Sequence, residues 1–470
     1  MSRKMLYTIE DKPPVGTSLL LGFQHYLTMF GSTVAIPFVL KDALGADDAQ
    51  LAVMISTMFL VSGICTLLQT TFGNRLPIVQ GGTFSFLGPA IAICGMATLA
   101  NSGFEVKMRE VQGAIILGAF FEMAIGFSGL MGRLLRFITP VTIAPTIALI
   151  GLALFKFGAP FAGKHWGIGG LTIILLIVFS QILSRTSQLF RLFPILLGLI
   201  GAWLVAIIGT KAGLFPQGHA SHVSFDAVRE APWVRVPYPF QWGIPTFSLA
   251  AVVGMLAGYI ASMIESTGDY FAAARMSEAP VPDSKTVNRG IGFEGIGCFV
   301  AGLFGTGNGT TSYSENIGAI GLTRVGSRRV IQTAAVLMLG LAIFGKFGAI
   351  FASIPQPIVG GMYCVMFAMV AGVGLSNLQF VDLNSTRNLF IIGFALFMGL
   401  SLPEYIGPNS EAIIGLFPAS ISWIGNIIST IGSSGMAVGA FLALLLDNIV
   451  PGTDEERGIT AFSRQVGSAT

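Results

Sequence analysis

The sequence predicts an all-α polytopic membrane protein with fourteen transmembrane segments arranged as two inverted seven-segment repeats. Three observations carry that prediction. Of 470 residues, 26 are Lys or Arg and 23 are Asp or Glu, so charged types make up 10% against 53% hydrophobic. A soluble chain of this size needs roughly a quarter of its residues charged to cover its surface. Charge-free runs at 13–40, 49–74, 76–104, 236–264 and 347–381 each exceed the length that spans a bilayer, which is about 20 apolar residues. The apolar segments also fall seven before and seven after one polar stretch. Because seven is odd, the second set enters the bilayer from the opposite face. With a mean hydropathy of +0.77, the composition excludes a cytosolic enzyme, a nucleic-acid binder and a disordered chain.

The elements follow in order. The first 14 residues, MSRKMLYTIEDKPP, are polar and lack the apolar stretch of a cleavable signal, so the first span is expected to direct insertion itself. Continuous apolar runs without period-2 alternation favour helices over a β-barrel. Spans are expected near 16–40, 50–72, 80–100, 111–131, 137–157, 167–184 and 192–210, making residues 1–210 the first repeat. A polar connection at 211–245 holds Lys211, His219, His222, Asp226, Arg229, Glu230 and Arg235. The second set is expected near 246–274, 287–305, 309–323, 330–350, 356–375, 387–402 and 431–449, within 246–450, before a tail at 451–470. Segment 403–430 is ambiguous in pattern and could be a membrane-skimming connection.

Loop charge orients these spans. Arg3, Lys4, Arg75, Arg133, Arg136, Arg185 and Arg191 share one side in the first set, while Lys41, Lys107 and Arg109 face acidic neighbours on the other. Arg275, Lys285, Arg289, Arg324, Arg328, Arg329 and Arg387 fall on the N-terminal side in the second set. The excess of Lys and Arg on cytoplasmic loops places both termini in the cytoplasm and 211–245 outside.

Two segments break the helical pattern at matching places. Residues 80–89 read QGGTFSFLGP and residues 305–318 read GTGNGTTSYSENIG. Each opens with glycines and polar residues before an apolar helix, and Phe84 and Glu315 occupy corresponding positions in the two sets. Paired interruptions of this kind point to a transporter's binding site near the membrane midplane. Irregular backbone at that depth is tolerated where it lines a cavity or packs inside protein.

Ionisable groups within spans carry the chemistry, because burial there is costly. The candidates are His25, Glu265, Asp269, Glu294 and Glu315, with Glu122 read as structural. Glu265 and Asp269 stand at i and i+4 on one helical face. Two ionised carboxylates there would repel, which suits a pair that carries a proton. Glu315 sits where the second broken segment turns into helix, a position that also suits a capping carboxylate. Phe84 could present its ring to a planar ligand, although an aromatic in a span packs more often than it binds. Cys65, Cys94, Cys298 and Cys364 lie singly in apolar stretches and read as buried hydrophobes. No metal-ligand cluster and no phosphate-binding glycine loop occurs, so no metal, no cofactor, no enzymatic activity and no ATP-driven transport are expected.

The run 315–324, ENIGAIGLTR, resembles the signature [QEP]-N-x-G-x4-T-[RKG] of the nucleobase/ascorbate transporter family, with Gly318, Thr323 and Arg324 at its fixed positions. Gln24-His25, TFSF at 83–86, ESTGD at 265–269 and LDNIVPGTDEERG at 446–458 resemble that family as well. The resemblance covers essentially the whole chain. It implies fourteen segments in two inverted repeats, with short antiparallel strands in segments 3 and 10. A core domain of segments 1–4 and 8–11 would move, elevator-like, against a gate domain of segments 5–7 and 12–14, in a homodimer of a cell (inner) membrane. Carried over by position, Glu265 and Glu315 would hydrogen-bond the substrate, Phe84 would stack on it, and the backbone of Ser314 and Phe84 would add polar contacts. His25, Asp269, Glu294 and Asn316 would shape the site or serve coupling, and Arg324 would be an interface or specificity element.

The substrate divides the resemblance. Glu315 resembles bacterial uracil permeases, whereas Asp269 resembles the purine and ascorbate branches, and GTGNGTTS and the closing LDNIVPGTDEERG resemble the ascorbate-type branch. Uracil and xanthine present adjacent N–H donors that suit carboxylate acceptors. An ascorbate anion would meet two carboxylates in a low dielectric. The expectation is proton-coupled symport of a uracil- or xanthine-class nucleobase, with sodium-coupled ascorbate transport and an uncoupled facilitator as alternatives.

Overall fold

The computed structural model describes residues 5–134 and 137–459 of the chain. Arg3, Lys4 and Arg136, which entered the orientation, and residues 460–470 of the expected tail lie outside them. The described chain is almost entirely helical. Eight of its helices are long and apolar enough to cross a membrane, and a ninth crossing results if Ser422–Gly432 and Gly435–Ile449, bent by 96°, act as one.

Helix α1 (Val15–Leu44) stops at Gly45, whose φ of 73° lets the chain turn and return its N–H to Lys41 and Asp42 carbonyls. Helix α2 (Asp48–Thr71) starts at Asp47, which accepts from the Gln50 N–H while Gln50 accepts from the Asp47 N–H, closing two of the free donors of a helix start. The expected span at 80–100 is not one helix. It is strand β1 (Gln80–Gly82), a turn at Phe84–Phe86 and a short helix α3 (Leu87–Cys94). There follow α4 (Phe104–Ser128), α5 (Pro140–Leu152), α6 (Phe155–Ala162), α7 (Trp166–Ile177) and α8 (Pro194–Lys211).

The second half repeats the interruption. Helix α9 (Leu249–Met276) and α10 (Ser284–Phe304) lead to strand β2 (Thr310–Ser312) and α11 (Ser314–Thr323). Helices α12 (Arg328–Ile343), α13 (Gly345–Ala352), α14 (Gln356–Ser376), α15 (Thr386–Ile406), α16 (Ser422–Gly432) and α17 (Gly435–Ile449) complete the described fold. The start of α10 is capped by Asp283, whose carboxyl is held below its ordinary range by hydrogen bonds from the Thr286 hydroxyl and N–H.

The break between α12 and α13 falls inside the span expected at 330–350, and its cause lies in the polar connection. Arg235 donates its N–H to the Ile343 carbonyl at 2.9 Å, and Gly345 donates to Trp233 at 3.0 Å. Val234 thus pairs with Phe344 as an antiparallel bridge, and the connection supplies the partners that the interrupted helix loses. Within residues 403–430, α15 runs on to Ile406, through Pro403, a short helix covers Ser410–Gly415, and α16 starts at Ser422. The last expected span at 431–449 is split by the bend at Ser433–Ser434. A Cβ on Gly435 would come within 2.3 Å of the Gly399 carbonyl, so only glycine lets α17 approach α15 this closely.

Packing joins the two halves throughout. Helix α10 lies along α4, α12 along both α1 and α2, and α14 along α5 and α6, while α17 packs on α5 and α15. The largest core includes an aromatic cluster of Tyr26, Phe30, Phe59, Phe347 and Phe351, with Phe30 and Phe351 centred 4.4 Å apart. At the far end of α17, Asp447 is fully buried and accepts from Arg387 and Arg457, each at 2.9 Å, and from the Thr139 hydroxyl at 2.8 Å. The motif at 446–458 therefore ties the last described segment to the ends of α5 and α15.

Candidate functional site at the paired strands

The two interrupted segments meet. β1 and β2 pair antiparallel, with Gln80 opposite Ser312, Gly81 opposite Thr311 and Gly82 opposite Thr310. Glycine is needed at the crowded positions: a Cβ on Gly81 would lie 2.7 Å from the Tyr313 ring, and one on Gly82 would lie 2.7 Å from Ile36. Each strand runs directly into a helical turn, so two helix N-termini flank one strand pair from opposite ends. Free N–H groups at such starts favour electron-rich partners.

The first helical turn is pinned from the second repeat. Asn308 accepts from the Thr83 N–H at 2.7 Å and donates to the Thr83 carbonyl at 3.0 Å, while the Thr83 side chain accepts from the Ser85 N–H. Phe84 follows, half-buried, with its ring edge-on to Phe367 at 5.7 Å. It lines a small cavity of about 40 Å³ together with Gly88, Ile150, Lys156, Glu404 and Met436. Phe84 also packs beside Ala261, which lies one turn before Glu265 on α9.

The acidic residues gather where α9 and α10 meet β2 and α11. Glu315, in the first turn of α11, is half-buried and accepts a hydrogen bond of 2.6 Å from the Ser32 hydroxyl of α1. Glu265 is half-buried on α9 and close enough to Glu315 and Glu294 for their charges to interact. Asp269, one turn on, is buried with one carboxylate oxygen lacking a hydrogen-bond partner. Glu294 of α10 accepts from Ser262 at 3.0 Å, Ser266 at 2.8 Å and Tyr270 at 3.0 Å. The Ser266 oxygen in turn lies 2.9 Å from the Thr311 hydroxyl, 2.7 Å from the Ser312 hydroxyl and accepts the Ser312 N–H at 3.2 Å. Through Ser266, the Glu294 carboxylate is wired to β2.

His25 and Asn316 also meet. The Asn316 amide donates to the His25 carbonyl at 2.8 Å and lies 3.1 Å from its Nδ1, fastening α11 to α1. Ser314 and Gly318 are exposed. Thr323 turns inward on its own helix, donating to the Ala319 carbonyl at 2.9 Å. Arg324 ends α11 with a φ of 58° and faces a separate hollow with Ser187 and Arg191. The structure thus groups Glu265, Asp269, Glu294 and Glu315, packs Phe84 in the cluster that includes Ala261 of α9, and leaves Arg324 apart. The cavity beside Phe84 includes neither Glu265 nor Glu315.

Several partners were not legible. Ser32, Ser266, Asn308 and Tyr270 stand in segments where hydroxyls and amides read as ordinary packing, and the GTGNGTTS run holding Asn308 was the one usable signal. Glu122 is fully buried beside Cys298 and Glu294, and neither of its carboxylate oxygens has a hydrogen-bond partner.

Comparison with known proteins places this geometry. A profile described as a permease family matches residues 16–407. Solute carrier family 23 member 2 of Mus musculus is 47% identical over 508 aligned positions, covering 99% of this chain and 78% of that protein. Nucleobase-ascorbate transporter 2 of Arabidopsis thaliana is 41% identical, covering 97% of this chain and 91% of that protein. Among solved structures, the transmembrane domain of a cyanobacterium bicarbonate transporter, BicA, aligns with a TM-score of 0.58 at 14% identity, over 91% of this chain and 99% of that one. A structure of SLC26A9 aligns with a TM-score of 0.61 at 12% identity, over 83% and 63%. These two share the fold, that of a multi-pass membrane protein. Profile and relatives together span nearly the full chain, and the protein is a transporter that belongs to the nucleobase/ascorbate transporter family of permeases.

Proposed function

We propose that the protein is a secondary active transporter that carries a nucleobase of the uracil or xanthine class across the membrane together with a proton. The observation that carries this reading is the arrangement around the strand pair, where Phe84 and Glu315 open the two flanking helical turns and Glu265 stands beside them. A planar ring suits the Phe84 face, and its adjacent N–H groups suit two carboxylate acceptors. His25, Asp269, Glu294 and Asn316 hold these elements in register and serve coupling, with the backbone at Ser314 and Phe84 adding polar contacts and Gly318, Thr323 and Arg324 completing the signature.

The architecture behind this reading has fourteen segments in two inverted repeats. The helical run Pro140–Arg185, 46 residues long, supports counting two crossings there, since one takes about 20. Segments 1–4 and 8–11 form a core that moves elevator-like against a gate of segments 5–7 and 12–14. The molecule works as a homodimer in the cell (inner) membrane with both termini in the cytoplasm.

The name of the Arabidopsis relative joins nucleobase with ascorbate, so sodium-coupled ascorbate uptake is the second reading. An ascorbate anion would approach two carboxylates, which favours the nucleobase. Uptake of labelled uracil, xanthine and ascorbate into proteoliposomes, under a pH gradient or a sodium gradient, tests the proposal. Accumulation of uracil or xanthine that collapses with a protonophore is expected. Sodium-driven ascorbate accumulation without nucleobase uptake would overturn it, and equilibration without accumulation would leave a facilitator.

A further inference from the structure

Glu122 stands in α4 and is fully buried, yet neither of its carboxylate oxygens has a hydrogen-bond partner among the described residues. The titratable groups that face it are Glu294 and Cys298 of α10 and Tyr259 and Tyr270 of α9, and none is a cation. Each donor among them is spent elsewhere. The Tyr259 hydroxyl donates to the Ile115 carbonyl at 2.5 Å, and the Tyr270 hydroxyl donates to Glu294 at 3.0 Å. The Cys298 thiol donates to the Thr310 carbonyl of β2 at 3.4 Å. Of the other helices packed on α4, α3 holds no charged residue, and α1 meets it at its first turn, where Lys107 donates to the Ala43 carbonyl. Glycines draw α4 and α10 together before and after Glu122. A Cβ on Gly302 would come within 2.6 Å of the Ile116 side chain, and one on Gly126 within 2.2 Å of the Gly292 nitrogen. A buried carboxylate with no donor and no counter-ion is among the costliest charges a protein can hold, and keeping its proton avoids that cost. Glu294 is the opposite case, since Ser262, Ser266 and Tyr270 all donate to it and favour its ionised form.

We propose that Glu122 is a second proton-binding site, separate from Glu265 and Asp269, whose bound proton leaves Glu294 as the ionised member of the pair. The inference rests on the reading of the strand pair as the binding site and adds a regulation of it. Two negative charges in this contact would repel. Glu294 would then be driven from Ser266, the residue that joins it to Thr311 and Ser312 of β2. Deprotonation of Glu122 therefore loosens β2 and lowers substrate affinity at alkaline pH. Glu122 acts through Glu294 and is a positioning residue.

Full-length protein in detergent is melted without substrate over about pH 5–9, above the ordinary carboxyl range. In the wild type, unfolding exposes Glu122 to water and releases its proton. Stability therefore falls as pH rises, by about tenfold in the folding equilibrium per pH unit for one proton. Glu122→Gln stays neutral, keeps a donor and has no proton to release, so its midpoint should fall less steeply. The infrared absorption of protonated carboxyl groups at neutral pH should diminish in the same variant. Its affinity for uracil or xanthine, taken as a ratio to the wild type to cancel titration of the ligand, should rise from neutral to alkaline pH. A rise of about threefold or more is the scale of one like charge in a protein interior.

Parallel pH slopes for the two proteins, or an unchanged carboxyl absorption, would overturn the proposal. An affinity ratio that stays flat with pH would overturn the positioning role. If Glu122→Gln does not fold, Glu122→Met, neutral and of similar size, takes its place, and a wild type without protonated-carboxyl absorption would overturn the proposal alone. A protein that binds neither uracil nor xanthine would remove the nucleobase reading, while the unfolding slopes, measured without substrate, would still decide the proton on Glu122.

Discussion

The Ser32 hydroxyl donates to the Glu315 carboxylate across 2.6 Å, joining two residues 283 positions apart. Ser32 lies in the buried middle of α1 and Glu315 in the first turn of α11, so this bond sets which way the carboxylate points. Hydrogen bonds to charged groups contribute about 1.5–3 kcal/mol, and a half-buried acceptor falls at the lower end. Ser32→Ala should therefore preserve folding and weaken binding of uracil or xanthine by about tenfold. Calorimetric titration of purified protein checks this; unchanged affinity would separate Ser32 from the binding geometry.

Phe84 tests the stacking role directly. Its ring is already edge-on to Phe367, so loss of the aromatic face costs packing as well as any substrate contact. Phe84→Leu retains apolar bulk, and if the ring stacks on a planar ligand the variant should lose about 1 kcal/mol or more of binding while expressing normally. Equal affinity for wild type and variant would return Phe84 to the packing class.

Ser266 joins Glu294 to β2 through its contacts with Thr311 and Ser312. Ser266→Ala leaves the Ser312 N–H without its partner and removes a donor from Glu294, two buried losses of about 1–3 kcal/mol each before relaxation. A lower thermal unfolding midpoint is expected, without protection restored by substrate. A wild-type midpoint would mean that water or a neighbouring hydroxyl takes over the bonds.

How much of this was readable in advance depended on whether a feature is local. QGGTFSFLGP and GTGNGTTSYSENIG disclose their broken backbone because glycine and small polar residues are costly in a helix interior. Their pairing, with Gln80 opposite Ser312, involves residues 232 positions apart by number and came only from family resemblance. The carboxylates were legible as costly charges in apolar spans, whereas Ser32 and Ser266 were not, since a lone hydroxyl in a span satisfies itself on its own helix as often as it crosses. Phe344 illustrates the remaining kind of difference. Gly345 follows it, but a single glycine weakens a helix without ending it, and the interruption arises because Trp233 and Arg235 supply outside hydrogen bonds.

Asp447 makes a separate prediction about the closing motif. It is fully buried between Arg387 and Arg457, so Asp447→Ala strands two cations with little solvent. Breaking a buried ion pair by removing one partner costs about 3–5 kcal/mol. Arg457→Met should cost less, because Arg387 and Thr139 still hold the carboxylate. Thermal unfolding of the two variants checks the order, and Arg457→Met being the worse of the two would contradict it.

Glu265 and Glu315 should respond differently to glutamine. Both lie within reach of each other's charge, yet their surroundings differ. Glu315 has a fixed donor in Ser32, so its carboxylate is oriented as an acceptor whatever its charge. Glu265 lies one turn before Asp269, which has a buried oxygen without a partner, and close to Glu294, whose oxygens are engaged by three hydroxyls. The proposed proton coupling therefore assigns the moving proton to Glu265 and Asp269. Glutamine keeps an acceptor oxygen and removes the titratable proton. Glu315→Gln should retain substantial binding, because the amide keeps an acceptor oxygen for a ring N–H. If Glu265 carries the coupled proton, Glu265→Gln should bind substrate but fail to accumulate it under a pH gradient. Equilibrium binding and gradient-driven uptake, measured on both variants in proteoliposomes, separate these roles. Wild-type accumulation by Glu265→Gln with an unaltered pH dependence would remove Glu265 from coupling and leave Asp269 as the proton site.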